Sequence, residues 1–333
     1  MKYPSDRILV TGGAGFIGSA LVHGLNQKGH TNIHITDRLG TDEKWKNLSA
    51  LVYNDYIEAD ELMGYIESHP HSRLYSLILH LGACSSTMET DASYLVQNNY
   101  RFTHRLAQYA IHTKTRFVYA SSAATYGDGS KGMDDKDTSI QNYRPLNMYG
   151  YSKQMFDLHA QQHGWLQSIT GIKYFNVFGP NENHKGEMRS LVNKAYHQIQ
   201  ETGRLQLFRS HRPDYEDGMQ LRDFLYVKDA VAMTLHLAKI PSATGLYNLG
   251  SGKAHTWIDL ANAIFKAMGK EPQIDFVDMP ESIRDKYQYK TEADISKLRE
   301  TGYDTPLTPL EGSVADYIQN YLAKDKLLGD EDR

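Results

Sequence analysis

Tyr149 and Lys153 stand one helical turn apart, shortly after the hydroxyl-rich stretch Ser121-Ser122-Ala123-Ala124-Thr125-Tyr126-Gly127. On a helix, positions i and i+4 share a face, so an ammonium at 153 sits beside a phenol at 149. A nearby cation favours phenolate and lowers a tyrosine from about 10 toward the working range of a general base. Such a pair takes a proton from an alcohol as hydride leaves, while the Ser122 hydroxyl holds the reacting oxygen. The spacing carries little alone in a chain with 23 tyrosines. Its weight comes from its place after the apolar run Phe117 to Ser121.

Hydride chemistry needs a carrier. Gly12, Gly15 and Gly18 in Ile8-Leu9-Val10-Thr11-Gly12-Gly13-Ala14-Gly15-Phe16-Ile17-Gly18 lie where an apolar run gives way to a helical pattern. There, backbone N–H groups can approach a pyrophosphate and the helix N-terminus favours the anion. Three glycines also make a plain turn, so context decides. Ile8 to Val10 reads as a buried strand, and Ile17, Leu21, Val22 and Leu25 keep helical spacing. Ile33 to Ile35 leads into Asp37, about 20 residues on, where a carboxylate can accept from a ribose hydroxyl. Asp37 alone suits NAD. Arg38 and Lys44 suit the 2′-phosphate of NADP, which is the favoured reading, or form a solvated surface pair.

These residues need strands and helices to hold them. Apolar runs recur at Ile8 to Thr11, Ile33 to Asp37, Leu77 to Leu81, Phe117 to Ser121 and Ile172 to Val177, with helical patterns between most. The alternation predicts an α/β fold, a doubly wound parallel sheet of Rossmann type, with ligand at the carboxyl ends of the strands. After Gly179-Pro180 the texture becomes polar, which marks a smaller C-terminal substrate lobe. The division is 1–178 for the cofactor, with 223–252 returning to it, 179–222 and 253–325 for the substrate, and 326–333 as a tail. Thr256 to Gly269 reads as an amphipathic helix, Glu281 to Tyr289 as a polar loop, and Lys324 to Arg333 as frayed and solvated.

A chain of 333 residues exceeds the usual single core. A formal charge of −4 and no long basic run argue against nucleic acid. No apolar stretch of about 18 residues occurs, which argues against a membrane span. Met1 to Arg7 is too polar for a signal peptide, so a soluble, cytoplasmic protein is expected. The single cysteine, Cys84, excludes an intrachain disulfide and reads as a small packed residue or a thiol nucleophile. The 15 histidines show no ligand spacing, and no metal is called for.

With these pieces assembled, the chain resembles the extended short-chain dehydrogenase/reductase superfamily over nearly its full length, with Ser122, Tyr149 and Lys153 as the triad. Gly82-Ala83-Cys84-Ser85-Ser86-Thr87, Asn147-Met148-Tyr149-Gly150-Tyr151-Ser152-Lys153, Tyr174-Phe175-Asn176-Val177-Phe178-Gly179-Pro180, His184-Lys185-Gly186 and Thr291-Glu292-Ala293-Asp294 resemble one branch, the ADP-glyceromanno-heptose 6-epimerases. The resemblance implies reversible oxidation at C6 of an ADP-heptose with NADP, rotation of the carbonyl, and hydride return to the opposite face. It makes Lys185 a second acid/base; from its residue type alone, a lysine in a polar loop reads as solvated. A homo-oligomer is expected.

The resemblance also implies cofactor contacts from Phe16, Ile17, Leu81, Gly82, Ala83, Ser85, Asn98, Val177 and Lys185. It puts Asn176, Glu187, Lys194, Phe208, Arg222 and Tyr287 near the nucleotide sugar. Arg222 suits a grip on pyrophosphate through its planar fork, or an ion pair with a neighbouring carboxylate. Phe208 packs on adenine or in a core, and Asn176 contacts substrate or caps a strand. The chain departs from the branch at Ala59, in place of a basic cofactor contact, at Glu187, in place of a small hydroxyl residue, and at Lys194, in place of a histidine. Three readings stay open beside the C6 epimerase: a nucleotide-sugar 4-epimerase, a 4,6-dehydratase, and a cofactor-sensing protein without turnover.

Overall fold

The computed structural model describes residues 6–69, 72–136, 140–284 and 287–330, without the side chains of 282 and 283. Strands β1 (Ile8–Thr11), β2 (Ile33–Asp37), β3 (Asp55–Glu58), β4 (Leu77–His80), β5 (Arg116–Ser122) and β6 (Thr170–Tyr174) are followed by β7 (Asn176–Phe178), β8 (Leu205–Phe208) and β9 (Leu221–Tyr226). β10 (Gly245–Leu249), β11 (Ala254–Thr256) and β12 (Ile274–Val277) complete the set. Seven of them form a sheet in the order β10-β6-β5-β4-β1-β2-β3, every pairing parallel. β1 is buried throughout. Strands covered on both faces carry continuous apolar runs, which is why β1 and β4 were legible in the sequence. β3 was not, because its edge position leaves Asp55-Tyr56-Ile57-Glu58 partly exposed.

Strand order reverses between β1 and β4, opening a crevice at their carboxyl ends. Helices Phe16–Asn26 and Val227–Lys239 cover one face of the sheet. Helices Ala59–Glu67, Phe102–His112 and Met148–Gln162 cover the other. A third core joins helices Leu191–Thr202, Trp257–Ala267 and Leu310–Asp316 to Phe16 and Ala20.

The run Ile172 to Val177, expected as one strand, is two. The chain leaves the main sheet at Phe175, whose N–H donates to Leu249 O at 3.0 Å. β7 then pairs with β9 in a three-stranded sheet with β11. The residue pattern does not reveal the crossing, since Tyr174, Phe175 and Phe178 are buried on either side of it. The loop expected over Glu281 to Tyr289 contains a short helix, Glu281–Arg284, and Tyr289 is buried. Lys286 lies outside the described residues. The tail expected to fray from Lys324 is also corrected as far as Asp330; 331–333 lie outside the described residues. Leu328 is buried, its N–H donates to Asn181 Oδ1 at 2.9 Å, and Gly329 lies against Ala50.

Candidate active site

The glycine turn is shaped by close backbone approach. Gly12 has φ +67°, and a Cβ there would meet Gly82 N at 2.7 Å; a Cβ on Gly18 would meet Gly12 O at 2.0 Å. Neither position accepts a side chain without moving main chain. The N–H groups of Gly12 and Gly13 donate to Thr36 O at 2.7 and 3.2 Å, and those of Ala14 and Gly15 to Asp37 Oδ2 at 3.0 and 3.2 Å. The first N–H groups of the helix, at Phe16, Ile17 and Gly18, have no acceptor within it. All three residues line a cleft of about 510 Å3 with Gly12, Gly15, Leu81, Gly82, Ala83, Ser85 and Val177. A turn without side chains, opening on unpaired helix N–H groups, fits a dinucleotide pyrophosphate.

Ser122, Tyr149, Lys153 and Lys185 line the same cleft. Ser122 ends β5, its Oγ accepting from Ala124 N at 3.1 Å, and it shares a side-chain hydrogen bond with Tyr149. Asn147 caps the next helix, its Oδ1 accepting from Gly150 N at 2.8 Å, and so points Tyr149 and Lys153 along one face. Lys153 Nζ donates to Ala120 O at 2.7 Å. Burial pushes the Lys153 ammonium down to about 8, with Asp157 and Cys84 pulling the other way. Burial raises the Tyr149 phenol, opposed by the Ser122 bond. The lowered phenol expected from the sequence is therefore not supplied by the protein's own groups. Lys185 is half-buried rather than solvated, its Nζ 5.1 Å from the Phe16 ring centroid, and burial lowers its pKa while Glu182 raises it. Cys84 is not packed away. It is half-buried and lines the cleft.

A second recess continues the cleft past Asp37, lined by Arg38, Lys44, Ala59, Asp60, Tyr94, Asn98 and Arg101. Lys44 Nζ donates to Asp37 Oδ1 at 3.2 Å. The exposed Arg38 is held as a fork, Nη1 to Asn98 Oδ1 at 2.6 Å and Nη2 to Asp60 Oδ1 at 2.6 Å. The sequence carried no sign of Asp60, which sits in the helix after the edge strand.

Across Val177 and Lys185 a third pocket of about 620 Å3 opens, bringing together Asn176, Lys194, Phe208 and Tyr287. Phe208 is 38% exposed, so it is not core. Asn176 Oδ1 accepts from Thr291 Oγ1 at 3.2 Å. Arg222 is buried, and no carboxylate pairs with it among the described ion pairs. It lies 4.8 Å from the Tyr287 ring centroid and 5.7 Å from that of Trp257, while Trp257 Nε1 donates to Tyr287 OH at 2.7 Å. Trp257 went unnoticed because it begins a helix whose residue pattern already explains it as core. The Glu187 side chain is exposed and lines none of these three recesses, while its carbonyl accepts from Lys194 Nζ at 3.1 Å. Among the described residues no group of three His, Cys, Asp or Glu side chains could hold a metal ion.

Residues 8–250 match the NAD dependent epimerase/dehydratase family. The ADP-L-glycero-D-manno-heptose-6-epimerase of Nitratidesulfovibrio vulgaris is 50% identical over 315 residues, covering 95% of this chain and 98% of that protein. The chain belongs to this epimerase family. The enzyme of the same name from Fusobacterium nucleatum is 42% identical over 96% of this chain and 98% of its own. The solved Helicobacter pylori ADP-L-glycero-D-manno-heptose-6-epimerase superposes with a TM-score of 0.78 at 26% identity, covering 96% of each chain. The protein is thus an isomerase that works with a nicotinamide cofactor, built on a Rossmann-type sheet. No helix among the described residues is long and apolar enough to cross a membrane.

Proposed function

We propose that the chain interconverts ADP-D-glycero-D-manno-heptose and ADP-L-glycero-D-manno-heptose at C6, with NADP, for heptose supply to the lipopolysaccharide core. The observation that carries this reading is the position of Lys185, which lines both the cleft of Ser122 and Tyr149 and the pocket of Phe208 and Tyr287, the ring against which Arg222 lies. A base shared by a dinucleotide cleft and a second nucleotide-sized pocket suits a reaction on the sugar between them. The bound nicotinamide supplies an acceptor for the C6 hydride and its return.

Ser122 holds the C6 oxygen. Tyr149 exchanges the hydroxyl proton on one face and Lys185 on the other, so the carbonyl can turn and be reprotonated from either side. Lys153, pushed by burial down to about 8 and so still mostly charged at neutral pH, stabilises the phenolate of Tyr149. Arg222 faces the substrate pyrophosphate, Phe208 and Tyr287 flank the nucleotide, and Asn176 and Lys194 complete the pocket. On the cofactor side, Asp37 is already engaged by Lys44 and two loop N–H groups, while Arg38 is held in a fork beside it. That arrangement supports a 2′-phosphate over a free ribose hydroxyl, hence NADP over NAD. The division into a cofactor domain of 1–178 with 223–252 and a substrate lobe of 179–222 with 253–325 follows this reading. So do a cytoplasmic location and assembly as a homo-oligomer.

A dehydratase needs an acid to protonate its leaving hydroxyl. Next to Ser122 stand Ala124 and Thr125, and Thr125 Oγ1 is occupied by Ser122 O and Lys173 Nζ. The test is incubation with ADP-D-glycero-D-manno-heptose and separation of the C6 diastereomers. Approach to a mixture of both without net cofactor consumption is expected. Loss of water, inversion elsewhere on the sugar, or no conversion overturns the proposal.

A further inference from the structure

Glu182 is fully buried, in the segment 179–190 that carries Lys185 between β7 and helix Leu191–Thr202. A buried carboxylate is costly unless donors converge on it. They do so here from both ends of the segment. Gly179 N donates to Oε1 at 3.4 Å, Ser190 Oγ to Oε1 at 2.6 Å, and Ser190 N to Oε2 at 2.7 Å. Tyr317, from the C-terminal helical region, shares a side-chain hydrogen bond with it. Lys185 N donates to the Glu182 carbonyl at 3.0 Å, so the lysine leaves the turn that Glu182 anchors.

The surroundings leave little else to counter the Lys185 ammonium. Its side chain lies over the Phe16 ring. His184, next in sequence, is itself kept from charging mainly by burial, with Asp42, Lys44, Lys185 and Asp37 as its charged neighbours. Arg189 Nη1 turns away to Asn193 Oδ1 at 3.2 Å. Among the described residues Glu182 is the one charge that raises the Lys185 pKa, against a burial effect that lowers it.

We infer that Glu182 is a positioning residue for Lys185, stapling both ends of its segment and holding a counter-charge behind the ammonium. The inference rests on the proposed acid/base role of Lys185. Without the staple, the segment would hold Lys185 over a range of positions rather than one, and proton exchange at C6 depends on that placement. Without the charge, the ammonium would lose its proton at lower pH.

The test uses Glu182→Gln, Ser190→Ala, Lys185→Met and the double variant Glu182→Gln/Lys185→Met in the full chain, with ADP-heptose epimerisation followed across pH. Glu182→Gln should lower kcat by about 10-fold or more, the scale of a misplaced acid/base. It should also move the pH limb assigned to Lys185 toward acid by about one unit, with KM within about 2-fold. Ser190→Ala keeps the charge, so it should lower kcat without moving that limb, which keeps the inference testable if Glu182→Gln fails to fold. In the Lys185→Met background, Glu182→Gln should change the residual rate by less than about 2-fold, because both act through one lysine. An unmoved limb in Glu182→Gln, an unchanged kcat in Ser190→Ala, or a full further loss in the double variant overturns the inference. Wild-type turnover in Lys185→Met overturns the proposed base instead.

Discussion

Arg38→Ala should separate the two nicotinamide dinucleotides. The guanidinium is tied to Asp60 and Asn98 by bonds of 2.6 Å each, so its fork is ordered before any ligand arrives and little entropy is lost on meeting a phosphate. A hydrogen bond to a charged group contributes about 1.5–3 kcal/mol. The side chain is 49% exposed, which puts the loss toward the middle of that range, about 2 kcal/mol, or roughly 30-fold in Kd. The substitution also leaves Asp60 unpaired at the edge of the recess, a charge that repels NADP and barely affects NAD. The expected result is therefore about 30-fold weaker NADP binding with NAD changed by no more than about 3-fold. Calorimetric titration of cofactor-free protein with each dinucleotide is the measurement, repeated at high salt, where the gap should narrow as screening increases. Equal losses for both cofactors would refute the 2′-phosphate reasoning and assign Arg38 to adenosine packing or to the surface.

Tyr149→Phe and Lys185→Met should each slow epimerisation by at least about 100-fold, the lower range for a lost general acid/base, while titration shows cofactor still bound; wild-type turnover in either direction sinks that residue's assignment. His80 is buried between Thr11 Oγ1 at 2.6 Å and Thr103 Oγ1 at 2.8 Å, and burial lowers its pKa to about 3. The unfolded chain then binds the extra proton first, so stability is full above about pH 6.5 and falls by about 1.4 kcal/mol per unit below it. Urea unfolding at pH 7.5 and pH 5 should show that loss, and His80→Gln should make the acid slope shallower. An identical slope would assign the acid sensitivity to other groups.

The strands that carry the cleft were legible because parallel strands bury both faces and leave unbroken apolar runs, as in β1 and β4. The glycine turn was legible for a different reason: positions 12 and 18 have no room for a Cβ, so the residue type itself records the geometry. Tyr149 and Lys153 share a face by helical spacing alone. The pocket of Phe208 and Tyr287 left no comparable trace. Asn176, Phe208, Arg222 and Tyr287 sit on four separate segments, and their meeting depends on the chain crossing from the main sheet to the small one at Phe175. Resemblance suggested those residues one by one, and the pattern gave no sign that the Glu187 side chain stands exposed apart from them.

By itself, then, the sequence determined whatever is local: the strand and helix periods, the glycine turn, and the phenol and ammonium on one helical face. Backbone sterics and i, i+4 geometry act within a few residues, so residue order suffices to express them. Only the tertiary structure decided that Lys185 is drawn out of solvent over Phe16, that Arg38 is forked between Asp60 and Asn98, and that Arg222 lies buried against rings instead of a carboxylate. It also decided that Tyr149 is raised by burial where spacing alone pointed to a lowered phenol. Desolvation and long-range charge depend on what surrounds a group from every side, and residues far apart in the chain supply those surroundings.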